Sequence, residues 1–514
     1  MNRKSCKMAI IWVILFSSLI GFMPVTASSR GNTIETAQAS LDMTGAIEIK
    51  DPFGACHADS YDIMEELGVK MNRKDISWSS IEQGDDNWQW NAWDNRISEL
   101  KSRNMTVLPI LDYGNLAVQT GTDHGNRIHT EHDMQEWMEY VNECVERYYV
   151  NDSNYVDNWE IWNEANLGEF NASEGFWTGT DEEFFELQRR TAQNLSVQYP
   201  GLNILSNGIS GHDPIYLGAM FARGAMEHVD TLAFHPYSGS SYDTLPVKID
   251  AVKQVCKEHG FNGSLWITEV GMSTQFNPDE PGFKTEYKRV LELQATLVPK
   301  VYAHALAEGI ETIVWYCLGD GHNFTWGEHN FGLIFHESNV HKPEPYDGDV
   351  LKPSGYAYKA LAHNLNWSTY IPRGVKLARS LPSTSKIERF YFTTSSGDIV
   401  LILWNENDDA NQVEFKVEAD GITVFGPPSY KEGIAKNYHA TTMDGMVSIQ
   451  ATIDLSPTIF LIDVPEGVAP SPVLIQSTFM VIDATFLFIL PFLGIASVLI
   501  GCWKVFQAFK HGTR

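Results

Sequence analysis

Cysteine is scarce in this 514-residue chain: only six occur, and no two stand at the spacing of a zinc knuckle or a Cys-x-x-Cys redox pair. Cys6 and Cys502 fall in terminal apolar segments, and Cys56, Cys144, Cys256 and Cys317 are spread too widely to imply any particular disulfide. Positive charge is also thin, with 37 Lys and Arg against 65 acids and a formal net charge of −28. A nucleic-acid backbone demands clustered cations, so nucleic acid is excluded as a partner. Low-complexity tracts are absent, and no repeat exists beyond the alternation described below, which excludes a fibre or a solenoid. His124, His129 and His132 lie close together, but on a polar loop and helix start that read as solvated surface. No metal and no cofactor are expected.

Long apolar runs are confined to the two ends. A basic start, Met-Asn-Arg-Lys-Ser-Cys-Lys, precedes an apolar stretch from Met8 to Met23 and small residues around Ala27, the pattern of a secretory signal over residues 1–27. Residues 478–503 form a second apolar segment, long enough to cross a bilayer despite Asp483 and Pro491. Lys504, Lys510 and Arg514 follow it with no acid, so residues 504–514 are expected in the cytoplasm and everything before the span outside. The chain therefore reads as exported and held at the extracellular face of the membrane by a single C-terminal transmembrane helix. Nothing in the sequence speaks to oligomeric state.

Between these ends, residues 45–365 alternate short apolar runs with long amphipathic stretches, which predicts repeated βα units. Eight candidate strands run Pro52 to Cys56, Val69 to Arg73, Thr106 to Leu111, Asn158 to Trp162, Leu202 to Ser206, Thr231 to Phe234, Leu265 to Thr268 and Thr312 to Trp315. Helical periodicity marks the stretches between them, such as Asp181 to Tyr199 and Leu245 to His259. The fold class is thus α/β, a (β/α)8 TIM barrel. From 366 to 465 the pattern changes to short alternating runs punctuated by Gly, Asn and Asp, predicting a smaller β-sandwich, with residues 466–477 as a Pro-rich linker.

Barrel enzymes place their chemistry at the C-terminal ends of strands. Trp162-Asn163-Glu164 closes the fourth candidate strand, and Thr268-Glu269-Val270-Gly271 closes the seventh. One Glu at a strand end is most often a solvated acid; two such motifs, three strands apart, are not so easily dismissed. These motifs, with the strand-two segment Gly68 to Glu82, resemble those of clan A retaining glycoside hydrolases, most of all family 39 and next family 5. The resemblance covers about residues 50 to 365. It implies Glu164 as acid/base, Glu269 as nucleophile, Arg73 bracing the nucleophile, and Asn163 bonding the sugar's 2-hydroxyl. It further implies His235 and Tyr237 as substrate-contacting residues after strand six, and Trp315 as the platform beneath the reacting sugar.

Retention requires Glu269 to stay an anion while Glu164 keeps its proton, and proximity to Glu269 is the expected reason that Glu164 does so. The expected activity is hydrolysis of O-glycosidic bonds in an oligo- or polysaccharide. A non-catalytic surface carbohydrate-binding protein on the same barrel is the alternative. Strand-end motifs leave xylosidase, arabinofuranosidase and endoglucanase specificities open. His57, Asp112, Tyr113 and Asp320 also follow candidate strands, but loop polarity accounts for them equally well. The sandwich is expected to brace the barrel, having no row of surface aromatics.

Overall fold

The computed structural model describes residues 40–477, apart from short stretches at 121–125, 154, 172–173, 240–243, 379–380, 382–385, 408–409, 433–437 and 444. The expected signal segment and the expected transmembrane segment with its tail lie outside the described residues. Among the described residues, no helix is long and apolar enough to cross a membrane.

Eight parallel strands close into a barrel: β1 (Phe53–Cys56), β2 (Met71–Asp75), β3 (Thr106–Leu111), β4 (Asn158–Ile161), β5 (Asn203–Leu205), β6 (Thr231–His235), β7 (Ser264–Val270) and β8 (Thr312–Trp315). Each pairs with its neighbours in sequence, and β8 returns to β1 through Ile313↔Phe53 and Trp315↔Ala55. The strands are buried on both faces, which is why they read as near-continuous apolar runs rather than alternating ones. Around them run α1 (Tyr61–Leu67), α2 (Asn91–Ser102), α3 (Glu131–Val145), α4 (Asp181–Gln198), α5 (Pro214–Ala222), α6 (Leu245–His259), α7 (Phe283–Ala307) and α8 (Pro353–Leu365). Local chemistry fixes several starts: Thr180 and Glu183 form a reciprocal capping box on α4, and Asp213 caps α5 ahead of Pro214.

The second region packs two antiparallel-rich sheets. One contains β9 (Thr369–Tyr370), β11 (Ile387–Thr393), β12 (Ile399–Asn405), β14 (Gly421–Phe425) and β17 (Thr458–Asp463); the other contains β10 (Val375–Leu377), β13 (Asn411–Glu418), β15 (Tyr438–Met443), β16 (Met446–Ile453) and β18 (Val473–Ser477). Two boundaries differ from expectation. The short strand Ile47–Glu48, expected in the barrel, pairs with β9. The expected linker is chain only as far as residue 472; β18 then pairs parallel with β10 and antiparallel with β13. Its Val-x-Ile alternation buries Val473 and Ile475 completely, and that apolar face holds it in the sheet.

β12 explains how the two regions become one body. All seven of its residues are buried, because Leu401 and Leu403 face the sandwich core while Val400, Ile402 and Trp404 join the core of the barrel. Trp404 stacks on Phe390 with ring centroids 5.1 Å apart, and the Lys300 ammonium of α7 lies 5.6 Å from its ring. Replacing this wholly buried indole by alanine, Trp404→Ala, should cost about 3–5 kcal/mol by transfer and cavity terms. Denaturant unfolding checks the figure. The shared core further requires that wild-type unfolding be a single cooperative transition by tryptophan fluorescence and by calorimetry; two separated transitions would contradict a common core.

Candidate active site

The strand ends converge on a cleft of about 940 Å³, near the upper end of the roughly 300–1,000 Å³ typical of small-molecule sites. His57, Tyr113, Trp162 and Glu164, which follow β1, β3 and β4, all adopt positive φ, at 49°, 63°, 72° and 46°. Such left-handed non-glycine residues cost free energy and persist where the surroundings impose them, commonly around functional sites.

Arg73 is the hub. Its guanidinium is 1% exposed and every one of its N–H groups is engaged. Nε donates to Glu160 at 2.6 Å, and Nη2 donates to Glu160 at 3.1 Å and to Asn163 Oδ1 at 2.9 Å. Nη1 donates to Glu269 at 2.5 Å and meets Cys56 Sγ at 3.9 Å. The other oxygen of Glu269 accepts the Tyr237 hydroxyl at 2.7 Å. On the opposite side, Glu164 Oε1 lies 2.7 Å from His235 Nδ1, and His235 Nε2 lies 3.0 Å from Thr268 Oγ. Thr268 in turn donates to Glu160 at 3.0 Å, so a continuous polar chain runs from Glu164 to Glu269 behind the cleft wall.

Gly208 makes room for this arrangement. A Cβ there would sit 2.2 Å from His235 Nε2 and 2.7 Å from Glu160 Oε1, so no larger residue fits without moving the imidazole. The same glycine's carbonyl accepts the Glu164 amide at 3.0 Å, fixing the backbone that presents the carboxyl.

Burial pushes the Glu164 carboxyl up to about 7, against the opposing pull of Arg73 and a bond with Ser210. Burial, rather than the charge of Glu269, is therefore what keeps Glu164 protonated, a correction to the expectation. Burial likewise brings His235 down to about 4, leaving the imidazole neutral at ordinary pH. Tyr237 is driven well above the usual phenol range by burial and by neighbouring Glu269. On β2 and β3, burial and the charge of Asp75 raise Asp112 far above the carboxylate range; burial would raise Asp75 too, but the bond from Asp112, with His57 and Arg73, prevails and lowers it.

Six of the seven residues singled out from the sequence meet here: Arg73, Asn163, Glu164, His235, Tyr237 and Glu269. Trp315 does not. It is wholly buried, its indole N–H donates to the Phe331 carbonyl at 3.1 Å, and the next residue, Tyr316, lines the cleft. Strand alternation decides this: a ring committed to the barrel wall at the end of β8 leaves its neighbour to face the opening. His57, Asp75, Tyr113 and Glu328 also line the cleft. Glu160 and Thr268 were missed: Thr268 opens the second motif, and Glu160 lies two residues before the first, where period-two reading would have turned it inward. Glu328 sits in the loop after β8 and carries no sequence signal. Among the described residues, Glu164, His235 and Glu269 are the one His/acid group close enough to hold a metal ion, but Arg73 and Tyr237 already occupy both oxygens of Glu269.

The raised value of Glu164 has a consequence for stability. Because the folded value of about 7 exceeds the unfolded one, roughly 4.3, stability is fully present below about pH 4 and is lost as pH rises through 7. Glu164→Gln removes that loss. The variant should gain up to about 3 kcal/mol over wild type at pH 8 and almost nothing at pH 4, as read by urea unfolding at both pH values.

Neither a family model nor a curated protein matches the sequence. Solved structures do match in shape. A family 39 glycoside hydrolase from Bacteroides cellulosilyticus WH2 superposes with a TM-score of 0.58 at 16% identity, covering 82% of each chain. A monomeric β-xylosidase from Caulobacter crescentus CB15 gives 0.56 at 15% identity, over 83% of this chain and 99% of that one. A family 51 α-L-arabinofuranosidase from Bifidobacterium longum gives 0.52 at 14% identity, over 83% and 97%. The chain therefore has the barrel-plus-sandwich fold of these glycoside hydrolases.

Proposed function

We propose that this protein is a retaining O-glycoside hydrolase acting on an oligo- or polysaccharide, with Glu269 as nucleophile and Glu164 as acid/base. The observation that carries the reading is the spacing of the two carboxyl groups: their oxygens approach within 4.8 Å of each other. Double displacement needs about 5–5.5 Å, whereas inversion leaves room for a water at about 6.5–9.5 Å. The two environments differ in the required sense. Glu269 receives two donors, Arg73 and Tyr237, while Glu164 is buried and protonated. In the first step Glu269 attacks the anomeric carbon as the Glu164 proton passes to the departing oxygen. In the second, water donates a proton to Glu164 and displaces the sugar from Glu269. Asn163, on the cleft wall beside Glu164 in the chain and oriented by Arg73, is placed to bond a substrate hydroxyl. The cleft volume accommodates more than a single sugar ring. Localisation at the extracellular face of a membrane, through the C-terminal apolar segment, is part of the same proposal and is supported by the terminal sequence patterns.

Glu269→Ala should lower turnover of an activated aryl β-glycoside by at least about a thousandfold while leaving the folded circular dichroism spectrum intact. Glu164→Ala should slow substrates with poor leaving groups most, and azide should restore turnover of activated ones by replacing the lost base. Wild-type turnover in Glu269→Ala would mean that the barrel binds glycans without cleaving them by this pair. The kcat/KM profile should fall on its alkaline side near pH 7, where Glu164 gives up its proton.

A further inference from the structure

We infer that Thr268 and Glu160 are positioning residues that hold His235 in its Nε2–H tautomer, so that the Nδ1 lone pair receives the proton carried by Glu164. The inference rests on the proposed role of Glu164 and adds the device that sets its proton.

The protons available along the polar chain behind the cleft fix this tautomer. Both oxygens of Glu160 already accept from Arg73, at 2.6 and 3.1 Å. The single hydroxyl proton of Thr268 goes to Glu160 Oε1, 3.0 Å away. Thr268 Oγ can then only accept from His235 Nε2, which lies at 3.0 Å, so that nitrogen carries the ring proton. The imidazole is neutral, because burial lowers it to about 4, and its Nδ1 is left with a lone pair. Glu164 Oε1 stands 2.7 Å from Nδ1, and in such a contact the carboxyl must be the donor. Neither Glu160 nor Thr268 has any exposed surface, so neither touches a substrate. Other charged groups facing Glu164 act in different senses: Arg73 and the bond with Ser210 lower its proton affinity, while Glu269 and Glu328 are acids sharing its cleft.

The device serves both half-reactions. At rest the lone pair holds the proton on the acid. Once that proton has passed to the leaving oxygen, the Glu164 carboxylate faces a lone pair with no donor between them, which favours recapture of a proton from the incoming water. The proton lost in the first step is thus regained in the second. A His235 free to carry its proton on Nδ1 would instead donate to Glu164 and stabilise the carboxylate, weakening the acid.

The direct test is the ¹⁵N spectrum of His235 in the intact wild-type protein at pH 6, where the Nε2–H pattern is expected and an Nδ1–H pattern overturns the inference. Thr268→Val supplies the kinetic arm. Removal of the hydroxyl should move the alkaline limb of kcat/KM about one pH unit lower. It should also slow aryl glycosides with poor leaving groups at least tenfold more than a dinitrophenyl glycoside, which needs no protonation, and Thr268→Ser should restore both. An equal loss on all leaving groups, or an unmoved limb, overturns the inference. If Thr268→Val does not fold, the wild-type spectrum and Thr268→Ser still decide. Failure of the underlying reading is distinguishable, since it shows as turnover that survives in Glu269→Ala whatever the tautomer.

Discussion

A guanidinium sealed away from water organises this molecule. Arg73 projects from β2 into the barrel mouth, where leaving any of its donors unpaired would cost several kcal/mol. Its fork therefore dictates where its partners lie: Glu160 on β4, Asn163 just past it, and Glu269 on β7. Those positions belong to the fourth and seventh strands, so one planar cation ties together the two strand ends that carry Glu164 and Glu269. Loss of one partner from a buried ion pair generally costs about 3–5 kcal/mol, which makes the placement of Glu269 part of the stability of the barrel and not an ornament on it.

Much of the barrel is legible in the sequence because its strands are short, apolar and separated by long periodic helices. β3 and β8 fall at the expected residues, and the others shift by a residue or two, where local hydrogen bonding rather than hydrophobicity sets the end. The two glutamates are legible because each sits in a motif at a strand terminus. Glu160 and Thr268 are harder to read, since their roles depend on partners in other strands that no local pattern reveals. Trp315 shows the opposite failure: an aromatic at the right strand end suggests a platform, but which of two adjacent aromatics faces the opening depends on the pleat. The raised value of Glu164 was foreseen in direction but not in cause, because burial is a property of the assembled cleft.

The sandwich is less legible. Its strands are apparent, β12 among them, but the continuous apolar run of β12 departs from the alternation of its neighbours and does not reveal its second packing partner, and its two-sided burial explains why. Val473–Ser477 follows a Pro-rich stretch and so looks like more of the same, although its alternation is that of a strand. The interface with the barrel adds polar ties to the shared core: Lys431 pairs with Asp349 at 2.7 Å, and the Tyr346 hydroxyl reaches the Pro428 carbonyl at 3.3 Å. These contacts fit a region that braces the loop after β8, the same loop that carries Glu328 and Phe331 into the cleft.

The pairing of Ile47–Glu48 with Thr369–Tyr370 bears on how the chain assembles during synthesis. Ile47–Glu48, the first strand among the described residues, finds its partner only after all eight barrel strands and their helices have emerged. The barrel's seam, where β8 meets β1, lies between those two partners in the chain, so the sheet that joins them acts as a latch across that ring. The two ends of the barrel are thus tied to each other through a different sheet, most of whose strands follow later in the chain, and fraying of the barrel from either end must undo that tie.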